Sequence, residues 1–355
     1  MKFGWLTLAH SPGAEDDGAA IDQQLAQACY ADELRFDGIW LTEHNFTGEA
    51  VYNDPIPFAA AVAMRTSRIR LGFAVIQLAL RHPTRLAVQL ALLDNLSRGR
   101  VDIGVGRGTL YNEYEFMGYG LRSDDSRERA DEALAVLVGA FTQEPFEHHG
   151  KYFHVTMPQL RPRPVQRPHP PIWRSVVAPA SFRECGRLGA PILTQRLALP
   201  RILERLTLYE EGLEEGGHDA ATRTRLRRDA ALWRHVYVAD SQAQAEDELG
   251  AVLVHTRQHM LHARQAYNPA DFVVDPALLN PFNDPRVSDG EAVRHSLDNG
   301  ALYGTPERVA EQLAEIRDAG VHHVLAQMSF GHAPHERLMA SMRLFAEKVM
   351  PRFRD

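Results

Sequence analysis

Strand and helix signals alternate along almost the whole of this chain, and that alternation constrains the fold more than any single motif. Short apolar runs bounded by turn residues predict strands over 3–8, 38–41, 70–76, 101–105, 172–177, 191–194, 230–239 and 323–328. Stretches with helical spacing follow them, over 18–35, 55–67, 83–96, 126–141, 179–188, 200–215, 241–265 and 334–349. Runs such as Ile39-Trp40-Leu41 are apolar throughout, the mark of a strand covered on both faces. Parallel strands need helical crossovers, and eight such units without a break in composition predict the α/β class: one (β/α)8 TIM barrel over residues 1–355, with insertion loops at its C-terminal face. A doubly wound open sheet is the alternative, and 355 residues suit closure better.

Three connections exceed what a plain linker needs: 106–125, 142–171 and 266–304. The second is rich in proline and aromatic residues and predicts an ordered excursion with a hairpin. The third carries Asn268-Pro269, Asn280-Pro281 and Asp289-Gly290 between the last two strands, and is the candidate lid over the barrel mouth.

Composition narrows the class of partner. With 39 Lys and Arg against 46 Asp and Glu, the net charge is −7, so there is no general basic field for nucleic acid. Two cysteines, Cys29 and Cys185, fall in predicted helices and are expected to be reduced. Met1-Lys-Phe-Gly-Trp-Leu6 enters a strand without a signal-peptide layout, and no apolar stretch reaches membrane-helix length. A cytoplasmic protein with no membrane contact is the expectation.

Chemistry is expected at the carboxyl ends of the strands. Glu43 and His44 directly follow the second strand, and a histidine there can move protons or stabilise charge near neutral pH. After the fourth strand, Gly104-Val-Gly106-Arg107-Gly108-Thr109-Leu-Tyr111 offers close backbone approach and one guanidinium, which suits an anion. After the fifth, Ala178-Pro-Ala-Ser181 turns into a helix whose free N–H groups favour phosphate, with Ser175 a further hydroxyl. The glycine spacing is not the dinucleotide fingerprint. His255, His259 and His262 share one face of the long helix, but Thr256 stands where a zinc-protease motif needs Glu, so no metal site is assigned and a solvated or lid-facing surface is expected. Tyr111, Phe153, Trp173 and Phe330 are candidate pocket aromatics.

Taken in order, several motifs resemble those of the bacterial luciferase-like flavin monooxygenases. They are Phe36-Asp-x-x-Trp40-Leu-x-Glu43-His44-x-Phe46-Thr47, Leu71-Gly-x-Ala74, His82-Pro, Leu93-Asp-x-x-Ser97-x-Gly-Arg100, Arg107 between two glycines, Gly304-Thr-Pro-Glu307 and Met342-x-Leu-Phe345. The resemblance implies a (β/α)8 barrel binding FMN as FMNH2. Oxygen adds at the flavin C(4a) position, and the peroxide attacks a small organic substrate. It implies His44 as the catalytic residue, with Glu43, Ala74, Val75, Gly106, Arg107, Gly108, Tyr111, Ala178 and Ser181 around the cofactor. A non-proline cis peptide is implied at Ala74-Val75, beneath the ring. A separate NAD(P)H:flavin reductase and a homodimer are further implications, the latter through the small-residue helix 57–64 and the broadly apolar helix 86–96. Gly106 replaces luciferase's reactive cysteine, and the turn at 178–181 lacks luciferase's Glu-Ser pair, so the chain resembles the wider monooxygenase group. The alternatives are a deazaflavin-dependent oxidoreductase on the same barrel and a non-catalytic flavin-binding protein.

Overall fold

The computed structural model describes residues 1–276 and 279–354. In chain order its elements are β1 (Lys2–Thr7), α1 (Asp17–Glu33), β2 (Gly38–Leu41), α2 (Pro55–Arg65), β3 (Arg70–Phe73), β4 (Ile76–Gln77), α3 (Pro83–Leu96), β5 (Val101–Gly106), α4 (Glu113–Gly118) and α5 (Ser126–Thr142). There follow β6 (Phe146–His149), β7 (His154–Met157), β8 (Ile172–Val176), α6 (Pro179–Arg187), β9 (Ile192–Thr194), α7 (Leu199–Glu215), α8 (Ala220–Asp229) and β10 (Ala231–Val238). The chain ends with α9 (Gln242–Tyr267), α10 (Asp289–Gly300), β11 (Ala301–Gly304), α11 (Pro306–Asp318), β12 (His323–Ser329) and α12 (His335–Leu344).

Among the described residues, eight parallel staves close in the order β1-β2-β3-β5-β8-β9-β10-β12 and back to β1. The expected barrel is therefore the fold. The expected third strand, 70–76, is two pieces: β3 ends at Phe73, the Ala74–Val75 peptide is cis, and β4 resumes against β5. β10 is longer than its neighbours. Its first half pairs with β12 and its second half, His235–Val238, with β11, which adds a strand above the barrel proper. The 142–171 connection contains the expected hairpin, β6 with β7 antiparallel. The 266–304 excursion, read as loop, is ordered in its second half as α10 and β11, and α10 begins with a Ser288/Glu291 capping box. The helices α4, α8 and α11 are further elements beyond those the sequence predicts.

The barrel is a packed core and not a pore. Leu6, Trp40, Trp173, Leu193, Ala231 and Leu325 fill it, with Trp40 and Trp173 edge to face at 5.4 Å. The Trp40 indole fits because both flanking staves present glycine. A Cβ at Gly4 or at Gly72 would lie 2.5 Å from its ring. Ala74, Val75 and Trp233 pack onto this plug from above, so the barrel floor sets the height at which a ligand can rest. Outside, α3 buries Leu86, Ala87, Leu90, Ala91 and Leu93 and leaves Val88, Leu92 and Leu96 exposed. Cys29 and Cys185 are free thiols in α1 and α6. No helix among the described residues is long and apolar enough to cross a membrane.

Gly72→Ala should cost about 1–3 kcal/mol through overpacking against Trp40, seen as a lower urea midpoint. Adding Trp40→Phe should recover part of that loss. An unchanged midpoint for Gly72→Ala would contradict this account of the barrel floor.

Candidate active site

A cavity of about 590 Å³ opens at the C-terminal mouth of the barrel. Its walls come from the strand ends (His44, Gln195, Trp233, His235, Gln327), from Thr109 and Tyr111 after β5, from α9 (Thr256, Met260, Arg264) and from the excursion (Asn280, Phe282, Asn283).

His44 stands in the wall where β2 ends. Its Nδ1 lies 3.2 Å from Glu115 Oε1 and its Nε2 3.5 Å from Glu49 Oε1. The second contact is too long for a strong hydrogen bond, so that N–H can turn to a ligand. Glu115 is fully buried at the start of α4 and is the hub of the site. It accepts from Asn112 Nδ2 at 2.7 Å, from Gln77 Nε2 at 2.7 Å and from Asn45 Nδ2 at 3.5 Å. Arg264 of α9 donates to Asn112 Oδ1 at 2.9 Å and to Asn283 Oδ1 at 2.9 Å, which ties the excursion to the same network. Burial pulls the His44 imidazolium down, but Glu49 and Glu115 outweigh it and the ring is raised from 6.5 to about 9. Burial pushes the Glu115 carboxyl up, and its bond from His44 together with Asn112 and Gln77 holds it below its ordinary range. The site thus carries a charged donor at neutral pH, fixed in orientation. One ring nitrogen and two carboxylates here lie within 4.8 Å of one another; His44 as a cation already neutralises one of these charges.

Glu43 faces away from the cavity. Its carboxylate is bound by Arg81, Nη2 at 2.8 Å and Nε at 3.1 Å, and by the Gln77 backbone N–H at 2.9 Å. The Gln77 side chain donates to the Glu43 carbonyl at 2.7 Å. Glu43 therefore braces the β2 end and β4 against each other and is not among the residues that line the cavity, whereas His44 beside it is.

The anion-binding expectation falls on an open rim beside the cavity. The β5–β8 register sets Val105 against Arg174, so Gly106 and Arg107 emerge next to Ser175 and the turn into α6. Arg107 is exposed, and no carboxylate among the described residues forms an ion pair with it. Partial desolvation of its inner end and the charge of Arg127 both press its guanidinium down from the ordinary value. Arg127 and Arg174 reach acids only at 4.0 Å and 3.4 Å. Ser175, Val177 and Ala178 are exposed and Ser181 half-buried, so the amino end of α6 faces open space. A Cβ on Gly106 would lie 2.7 Å from Val75 Cγ2, so the absent side chain leaves the cis segment room at this rim. Surplus guanidinium charge, bare backbone and a helix amino end are the donor set that an anionic, phosphate-bearing cofactor requires.

The structure thus brings His44 and Tyr111 to the cavity, and Arg107, Gly108, Ala178 and Ser181 to the rim, with Ala74, Val75 and Gly106 between them. Of the expected pocket aromatics, Tyr111 and Phe330 line the cavity. Trp173 lies below it in the barrel floor, and Phe153 packs in the hairpin against His82 at 5.6 Å. His255 and His259 do not form a plain solvated face: His259 packs on buried His10 at 4.3 Å between ring centroids, and His255 stacks on His332 at 4.9 Å. Sequence reasoning missed Glu49, Gln77, Asn112, Glu115 and Arg264. The pair Asn112 and Glu115 at helical spacing was the available signal, and it sat in a segment read as loop.

Residues 1–323 match the model of the family described as luciferase-like monooxygenase. Limonene 1,2-monooxygenase of Rhodococcus erythropolis is 27% identical over 357 residues, covering 99% of this chain and 87% of that one. The solved structure of monooxygenase RslO1 from Streptomyces bottropensis aligns over all of both chains with a TM-score of 0.84 at 27% identity. The oxygenating constituent of 3,6-diketocamphane monooxygenase from Pseudomonas putida, solved in complex with FMN, aligns with a TM-score of 0.79 at 20% identity, covering 100% of this chain and 99% of that one.

The raised His44 pKa predicts a pH dependence with a defined sign. Its contribution to stability is full below 6.5 and is lost as pH rises through about 9. Glu115→Gln should lower the His44 pKa by about one unit or more, measured by NMR titration of the ring. An unmoved titration would show that Glu115 does not hold the charge.

Proposed function

The chain belongs to the luciferase-like monooxygenase family, and from that premise we propose that it is the oxygenase component of a two-component system. It uses FMNH2 and O2 to insert one oxygen atom into a small organic substrate. The observation that carries this reading is His44, held as a cation by two buried carboxylates in the wall of a ligand-sized cavity. The bound reduced flavin supplies the activation of oxygen and the transfer of one atom. The chain supplies the rest. Arg107, assisted by Arg127, the Gly106–Gly108 backbone and the amino end of α6 with Ala178 and Ser181, binds the phosphate. The Ala74–Val75 segment supports the ring, and Tyr111 closes one side. His44 would donate its Nε2–H as a hydrogen bond to the oxygen on which negative charge develops, while Glu115 keeps the ring charged and aimed. The 266–304 excursion acts as a lid: Asn268 donates to the Tyr111 carbonyl at 2.9 Å and Asn283 accepts from Arg264, so the closed position excludes water from the cavity.

A separate NAD(P)H:flavin reductase supplies the reduced cofactor in this reading, because the chain has no dinucleotide fingerprint. The Pseudomonas relative, an oxygenating constituent with bound FMN, supports both points. Two copies of the chain are proposed to pair through α2 and α3. Val88, Leu92 and Leu96 form an exposed apolar stripe at a spacing of four, and Met64 of α2 is 69% exposed.

His44→Ala should retain FMN binding yet release hydrogen peroxide in place of oxygenated product once reductase and substrate are present. Undiminished product yield would refute the role of His44. Arg107→Ala should weaken FMN by about tenfold or more while leaving riboflavin nearly unchanged, measured by fluorescence titration. Equal losses for both flavins would remove the phosphate assignment, and preferential binding of the deazaflavin F420 by the unaltered protein would replace FMN as the cofactor.

A further inference from the structure

The charge balance of the cavity is uneven. Arg196, Arg201 and Arg264 line it, while Glu49, already committed to His44, is the only acid among the described lining residues. Arg264 is engaged by Asn112 and Asn283. Arg196 is different. Its guanidinium carbon sits 4.3 Å from the centre of the Trp233 ring and 5.7 Å from that of Phe282, so aromatic surfaces cover its faces. Its hydrogen-bonding partner is the His235 ring, a neutral group that burial and the charges of Arg196 and Arg234 hold far below its ordinary value. No carboxylate among the described residues pairs with Arg196. Arg234, the next cation, is spent on the Trp233 and Leu197 carbonyls.

A guanidinium with covered faces still has an in-plane fork of N–H donors, and only part of that fork is used here. Cations withdrawn from water without a counter-charge are costly, and burial presses the Arg196 guanidinium down to about 10. The missing counter-charge is supplied most simply by the ligand. Around the fork, Tyr111, Phe330, Leu253 and Met260 give the cavity apolar walls suited to a flat ring.

We propose that Arg196 is the specificity-determining residue for an acidic oxygen, a carboxylate or phenolate, carried on a planar aromatic substrate bound against Tyr111, Phe330 and Met260. This rests on the cavity being the substrate site of the oxygenase proposed above. The oxyanion accepts the free edge of the Arg196 fork, the ring system lies along the aromatic wall, and the remote edge of the ring points toward His44. Phe282 belongs to the excursion, so that segment supplies part of the cover over the cation.

The test uses protein loaded with oxidised FMN, titrated by calorimetry with benzoate, 2-naphthoate and anthracene-2-carboxylate and with their neutral primary amides. At least one acid should bind about tenfold or more tightly than its amide. In Arg196→Met that preference should fall to near unity, and in Arg196→Lys to an intermediate value, with FMN affinity unchanged in both. Acids that bind the unaltered protein no better than their amides, or a preference that survives Arg196→Met, would overturn the assignment. Should Arg196→Met fold poorly, Arg196→Gln removes the charge, keeps a polar end and tests the same point. Repeating the titration on flavin-free protein reads Arg196 alone, so a failure to bind FMN would count against the cofactor and leave this inference standing or falling on its own ratio.

Discussion

One buried carboxylate organises the mouth of this barrel. Glu115 sits without solvent contact among four side-chain donors that come from the end of β2, from β4 and from the loop into α4. A bare charge there would be prohibitive, so every donor must arrive for the hub to form. The requirement runs outward. Gln77 is aligned by Glu43, Glu43 by Arg81, and Arg81 by Asp54 at the amino end of α2. Asn112 is aligned by Arg264 of α9, more than 150 residues later. His44 inherits its charge and its direction from this chain of contacts.

A protein of net charge −7 has nonetheless gathered guanidinium groups at one face. They fall into two sets that differ in partner. Arg107, Arg127 and Arg174 occupy an open rim, where water screens them until an anion arrives. Arg196 and Arg264 line the enclosed cavity, where aromatic rings and amides take the place of water. The first set suits a group that enters and leaves from solvent, and the second suits one that is held out of it. His44 stands in the cavity wall beside the second set, which is where a charged donor is strongest.

The scaffold was largely legible in the residues, and the hub was not. β2 and α3 lie where the apolar runs and Pro83 put them, because continuous hydrophobic stretches bounded by turn residues have one reading in a parallel barrel. His44 and Arg107 could be singled out because they directly follow strands. The partners that give His44 its properties lie 5 to 71 positions away along the chain and follow no period. Some elements were legible and went unread. Ser288-x-x-Glu291 and Thr305-Pro306 are ordinary helix starts, and the helices they begin, α10 and α11, were hidden by the proline and asparagine turns before them. Glu43 is a contrasting case: side chains alternate along an extended segment, so its carboxylate is taken up by Arg81 and the Gln77 N–H while His44 beside it lines the cavity.

The 266–304 excursion is tied to the barrel by β11 on β10 and to the mouth by Asn268 on Tyr111, Asn283 on Arg264 and Phe282 on Arg196. A barrel arranged in this way lets residues of the excursion that face the cavity, such as Phe282, vary without disturbing the Glu115 network, provided Asn283 keeps its bond to Arg264.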